Sequence, residues 1–321
     1  MEYPFVLVLG GSGFIGSHVI AKLSDSGRRV IVPTRHYESA KHLAVLPAVE
    51  DVVEADIHDD AVLNRLMIGI DAVINLVGIL HSRPGQPYGP DFAKAHVELP
   101  HRVVAACAAN GVKRYLHMSA LGAGENAPSM YLRSKAAGEK AALSNPAVAT
   151  TVFRPSVVFG EEDRFLNMFA SMQRFMPIVP LASGNAKFQP IYVQDVAQAF
   201  VNALDNDRTI GKIYELAGPK VYTLHELVRL AGEYSGHSRM VIDMPAPLAR
   251  LQVGLLELMP GEPIITRDNL ASMSVDNVIR HAIDPDLGIE PVALESVAPH
   301  YLSEQSKHSH FSDLRNRSRG E

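Results

Sequence analysis

The sequence lacks several features that would each announce a function class. It has a single cysteine, Cys107, in 321 residues, which excludes an internal disulfide and fits a reducing compartment. Cys107 lies among alanines in the helix-like run 102–110, so a packed core thiol is expected. Charge of one sign is scarce too: the formal net charge is -5, with no basic field that would favour nucleic acid. No stretch reaches ~18 uninterrupted apolar residues, so no bilayer span is expected. The N-terminus enters an apolar strand at Phe5 with no basic region and no small-residue cleavage site, so no signal peptide is expected. These absences place the chain in the cytoplasm, or at most peripherally at the inner membrane. At 47% hydrophobic and 20% charged residues the composition is globular, and no internal repeat is present.

Short β-branched runs alternate with longer amphipathic stretches through the first half. Strands are expected at 5–9, 29–33, 50–54, 71–77, 114–118 and 150–154, and helices at 14–26, 37–46, 60–68, 91–110 and 130–144. Such alternation builds a parallel sheet with helices on both faces, because each crossover is right-handed and covers the sheet. The fold class is therefore α/β, a Rossmann-type doubly wound parallel sheet with a smaller C-terminal α/β cap. The dinucleotide-binding domain is assigned to 1–160 plus 189–218, and the substrate or partner cap to 161–188 and 219–302. In the cap a helix followed by a proline-containing loop is expected over 161–188, with helices at 223–235 and 246–259. Residues 303–321 are polar, rich in Ser, Arg and His, and read as a disordered tail.

Directly after the first strand comes Gly10-Gly11-Ser12-Gly13-Phe14-Ile15-Gly16, and then a helix. A dinucleotide needs glycines here because the chain turns sharply, the backbone approaches a pyrophosphate, and the helix packs closely on the strand. The helix N-terminus then offers free N–H groups and the positive end of its dipole. The second strand ends Val32-Pro33-Thr34-Arg35, with no acid before Glu38 to bind a ribose 2′-hydroxyl. Arg35 suits a 2′-phosphate, so NADP(H) is preferred, with NAD(H) the alternative. Asp56-Ile57 follows the third strand, where an adenine is contacted in such folds. Asn75-Leu76-Val77-Gly78 ends the fourth strand at the carboxyl edge, where Gly78 permits close approach of a cofactor.

Tyr131 and Lys135 are four residues apart on an expected helix and share one face. An ammonium beside a phenol stabilises the phenolate, which would draw the tyrosine towards neutrality and fit it for general acid work. Ser119 ends the fifth strand, where its hydroxyl would polarise a substrate carbonyl.

The glycine loop, Asn75-Leu76-Val77-Gly78, Ser119, the Tyr131/Lys135 pair and Arg154-Pro155 together resemble an atypical short-chain dehydrogenase/reductase of the NAD-dependent epimerase/dehydratase kind. The stretches 134–139, 153–160 and 188–197, with 255–260 and 266–270 later in the chain, are similar to the branch related to the NADPH-binding accessory subunit of mitochondrial complex I and its bacterial relatives. The resemblance carries cofactor binding also onto Lys135, Pro155, Ser156 and Val157. It implies two functions. One is NADPH-dependent reduction of a carbonyl or quinone-type substrate by Ser119, Tyr131 and Lys135. The other is a non-catalytic, NADPH-binding structural or assembly protein with a respiratory-complex partner. A nucleotide-sugar epimerase or dehydratase is a weaker third. The chain departs from the family pattern at Ala120, where many active relatives carry a second hydroxyl.

His58 and His117 lack a second ligand at metal spacing and read as structural or solvent-facing. Met168, Met172 and Met176 recur every four residues and read as packing surface. The apolar stretch 246–259 reads as a core helix of the cap, with an interfacial helix touching a membrane or partner as the alternative.

Overall fold

The computed structural model describes residues 3–245, 247, 248, 253, 254 and 265–303. The expected helix at 246–259 lies mostly outside these residues, as does the expected disordered tail apart from Ser303. The chain divides into two compact units. The first comprises Met1–Ser156, Val193–Leu216 and Ile279–Glu290, and the second Val157–Tyr192, Ala217–Val278 and Pro291–Glu321.

The first unit holds a seven-stranded, all-parallel sheet. Its elements in chain order are β1 (Phe5–Leu9), α1 (Phe14–Asp25), β2 (Arg29–Thr34), β3 (Val49–Glu54), α2 (Asp60–Leu66), β4 (Ala72–Asn75), α3 (Leu99–Asn110), β5 (Arg114–Met118), α4 (Met130–Ala142), β6 (Ala149–Pro155), α5 (Val193–Leu204) and β7 (Ile213–Leu216). The strand order is β7-β6-β5-β4-β1-β2-β3. The order reverses between β1 and β4, and at such a switch point the loops leaving two neighbouring strands diverge and open a crevice. The central strand β1 is apolar throughout because both its faces are covered, whereas the edge strand β3 carries Glu50, Asp51 and Glu54. Leu7, Leu9 and Val73 pack with Leu99, Val103 and Cys107 of α3 on one face, while α1 packs against α5 on the other. Cys107 is buried in this core, and burial pushes its thiol up to about 12.

Two elements differ from expectation. Residues 37–46 form two 3₁₀ turns, Tyr37–Ser39 and Lys41–Leu43, rather than an amphipathic helix. Only Ala40 and Leu43 reach the core there, a spacing of three that a 3₁₀ turn satisfies. The helix expected at 91–110 begins with a turn at Pro90–Phe92, passes through a π-helical segment at Ala93–Glu98 and becomes regular only at Leu99.

The second unit packs helices Phe165–Phe175, Leu224–Tyr234 and Leu294–Leu302 around Phe169, Leu227, Ala231 and Ala298. Thr223 opens its helix with a capping box to Glu226. The loop expected after the first of these helices contains a strand, Ile178–Leu181, paired in parallel with Met240–Asp243. No helix among the described residues is long and apolar enough to cross a membrane.

Candidate functional site

The glycine loop crosses the switch point. Gly10 has φ +77°, and a side chain there would stand 3.0 Å from the Val77 nitrogen, so the loops after β1 and β4 touch through backbone. A Cβ on Gly16 would lie 2.5 Å from the carbonyl oxygens of both Gly10 and Gly11, so only glycine lets α1 close on the loop. The N-cap of α1, Gly13, makes no side-chain capping bond, and no acid occupies the first turn. The helix therefore presents free N–H groups and its positive end, the arrangement that receives a pyrophosphate. Ser12 and Phe14 are partly buried beside it and Gly13 is exposed. Ile15 is also partly buried, and the Phe14 ring meets His18 edge-on at 5.7 Å.

At the end of β2, Thr34 is buried and its hydroxyl donates to the His36 carbonyl at 3.1 Å. Arg35 is exposed and makes no hydrogen bond or ion pair among the described residues. Asp56 is exposed, with one carboxylate oxygen accepting the His58 N–H at 2.9 Å, while Ile57 packs against the core. Asn75 is fully buried: its amide donates to the Tyr115 hydroxyl at 3.2 Å and its oxygen accepts the Val77 N–H at 3.1 Å. Its amide thereby shapes the 76–78 loop at the carboxyl edge of the sheet. Gly78 is exposed, and a Cβ there would be 3.2 Å from Lys135 Nζ, so its missing side chain opens the way to that ammonium. Pro155 ends β6 and Ser156 follows it, the Pro155 carbonyl accepting the Leu121 N–H and the Ser156 N–H donating to the Leu216 carbonyl. Val157 lies in the second unit, its N–H donating to Asn277 Oδ1 at 3.1 Å.

Helix α4 is capped by Ser129, whose hydroxyl oxygen accepts the Leu132 N–H, and this sets Tyr131 and Lys135 on one face. Lys135 Nζ stands 5.9 Å from the Tyr131 ring centroid and donates to the Met118 carbonyl at 3.3 Å. Burial brings the lysine down to about 8, against the pull of Glu139. Burial also pushes the Tyr131 phenol up to about 12, so the fall towards neutrality expected from the neighbouring ammonium does not occur. Desolvation disfavours the charged phenolate and sets the direction of the shift.

Ser119 follows directly on β5. It is buried, and its hydroxyl donates to Glu139 Oε1 at 2.5 Å. Glu139 in turn accepts two bonds from Arg154, at 2.7 and 2.6 Å. A serine has one proton to give, and here it goes to a carboxylate. The neighbouring Ala120, Leu121 and Ala123 are apolar and buried.

Sequence reasoning missed His96. It sits in the π-helical segment, stacked on Phe92 at 5.2 Å and edge-on to Tyr131 at 5.6 Å. Its Nε2 accepts the Ile79 N–H at 3.1 Å, so its proton lies on Nδ1 and is donated to Ser134 Oγ at 2.8 Å. Burial, Lys135 and His117 hold its pKa well below the usual value, and the ring is neutral. His117, buried on β5, is brought down to about 3 by burial and by Lys135. The sequence carries no signal for His96, because its partners Ile79 and Ser134 lie on other elements.

A family model described as the NAD dependent epimerase/dehydratase family matches residues 6–217. The chain is 32% identical, over 94% of its length and 77% of the relative's, to the mitochondrial protein "NADH dehydrogenase [ubiquinone] 1 alpha subcomplex subunit 9" of Arabidopsis thaliana. It is 29% identical to a ceramide reductase of Caulobacter vibrioides, over 75% of this chain and 74% of that one. Among solved structures, UDP-glucuronic acid 4-epimerase from Bacillus cereus, in complex with UDP-glucuronic acid and NAD, shares the fold with a TM-score of 0.68 at 20% identity, covering 93% of this chain and 98% of that one. The glycine loop at the switch point of a parallel sheet and the family match agree, and this chain belongs to the NAD dependent epimerase/dehydratase family, in the branch that includes the mitochondrial complex I subunit.

Proposed function

We propose that this protein holds NADPH as a structural cofactor for a respiratory-complex partner, and that its hydride chemistry is muted. The cofactor's pyrophosphate would rest on Gly10 to Gly16 and the free N-terminus of α1. Its 2′-phosphate would meet Arg35, and its nicotinamide half would lie over Gly78 and Lys135. The unfilled cradle at Gly78 and the uncapped start of α1 suit such a group. Bound there, a nicotinamide supplies a hydride, but a reductase also needs a donor that polarises the substrate carbonyl.

The observation that carries the reading is the engagement of Ser119 with Glu139, which withdraws that donor. The similarity to a complex I subunit supports the choice of partner. A ligand that binds only the folded state stabilises it by mass action, which gives a retained cofactor a purpose without turnover. Affinity purification from the native host tests the partner: recovery of complex I subunits supports the reading, and their absence under conditions that preserve the complex contradicts it.

The Tyr131/Lys135 pair and the likeness to a ceramide reductase favour a second reading, NADPH-dependent reduction of a carbonyl or quinone-type substrate. Tyr131→Phe separates the two. The structural reading expects unchanged NADPH retention and unchanged biological function, and the reductase reading expects function to be lost while NADPH still binds.

A further inference from the structure

Residues 79–89 join β4 to the helical run that begins at Pro90, and they form a strap pinned at both ends and in the middle. At its start, the Ile79 N–H is held by His96. In the middle, Ser82 Oγ accepts the N–H groups of Asp91 and Phe92, at 3.1 and 3.3 Å. There too, the Arg83 backbone N–H and guanidinium donate to Asp91, at 3.0, 3.2 and 3.1 Å. That pairing holds the Asp91 carboxyl at about 2. At its end, the Pro87 carbonyl accepts from Arg133 Nε at 2.8 Å.

Arg133 lies on α4 between Tyr131 and Lys135, and its other bonds reach a different segment. Its Nη1 donates to the carbonyls of Ala127 and Pro128, at 2.8 and 3.0 Å, in the loop that leads into α4. One guanidinium therefore binds three main-chain carbonyls on the two loops that flank Tyr131. It has no carboxylate partner among the described residues. A planar fork of fixed donors suits this task, and a lysine ammonium on a flexible stem does not. The Tyr-x-x-x-Lys spacing leaves position 133 unassigned, and nothing in the site described above uses it.

We propose that Arg133 is a positioning residue that clamps the 79–89 strap and the 123–129 loop together, so that the mouth of the Tyr131/Lys135 site is preformed. The strap begins one residue after Gly78, the opening to Lys135, so loosening it also loosens the wall against which a dinucleotide would rest. This last link depends on the cofactor placement proposed above.

The test is hydrogen–deuterium exchange on the full chain and on Arg133→Met and Arg133→Lys, with NADPH release followed on the same samples. Loss of the clamp is expected to speed exchange about tenfold in peptides covering both 79–90 and 122–129, with the strands of the sheet unchanged. Arg133→Lys is expected to protect one of the two segments at most, and it serves as the milder variant should Arg133→Met fold poorly. NADPH release is expected to quicken about three- to tenfold in Arg133→Met. Exchange that is unchanged in either segment, or that rises evenly across the sheet, overturns the clamp. If the parent protein binds no NADPH, the cofactor reading fails, while the exchange comparison still decides the role of Arg133.

Discussion

Replacing Glu139 by glutamine tests the interaction that sets Ser119 aside. Its carboxylate is 5% exposed and accepts three bonds, one from Ser119 and two from Arg154. Glutamine keeps an oxygen for Ser119 but turns an N–H group towards the guanidinium and removes the opposing charge. Breaking one side of a buried ion pair costs roughly 3–5 kcal/mol, mostly because the remaining charge is left without compensation. Arg154 is 23% exposed and has Glu215 at 4.0 Å, so the lower end, about 3 kcal/mol, is expected here. Arg154→Met alone should also destabilise, since it strands Glu139. The double variant should be less destabilised than the two losses added together, with a coupling of about 1–3 kcal/mol. Urea unfolding of the four proteins at neutral pH, followed by far-UV circular dichroism, gives the cycle. A Glu139→Gln loss under about 1 kcal/mol, or strict additivity with Arg154→Met, would refute the view that this carboxylate is held and used inside the fold.

Arg35→Glu is expected to weaken NADPH about ten- to a hundredfold while sparing NADH, as measured by fluorescence titration; equal losses for both would remove Arg35 from the 2′-phosphate. Gly16→Ala is expected to abolish dinucleotide binding, because its Cβ meets two carbonyl oxygens of the loop at 2.5 Å and backbone has no room to yield. Calorimetric titration showing normal affinity in that variant would contradict the placement of the loop. Lys135 is depressed from 10.5 to about 8 in the folded state, so the unfolded chain binds the extra proton between those values. Its contribution to stability therefore rises as pH climbs from about 8 towards 10.5, and Lys135→Met is expected to flatten that slope in denaturation curves taken across the range.

The sheet was legible because most of its strands are short apolar runs and most of its crossovers carry a helical period, local signals that the tertiary structure reinforces. The glycine loop was legible in part for the same reason, since Gly16 answers to the backbone of Gly10 and Gly11 just before it, whereas Gly10 answers to Leu76 and Val77 across the switch point. Signals failed where contacts span elements. Ser119 looked free at a strand end, and its partner Glu139 lies 20 residues away on a helix. His96 and Ser134 are 38 residues apart, and the π-helical slip that aims the histidine leaves no periodic mark. Pro177 and Pro180 suggested a loop, yet Ile178–Leu181 pairs with one strand, Met240–Asp243, among the described residues. A strand with an open side tolerates proline, because the missing N–H can face away from the ladder.

The rate at which bound NADPH leaves the protein tests the central claim most directly. It is read from NADPH fluorescence during a chase with excess NADP⁺. The account predicts release over many minutes to hours, with retention unchanged in Tyr131→Phe. Release within about a second, together with turnover of a carbonyl or quinone that Tyr131→Phe abolishes, would contradict it and make this protein a reductase.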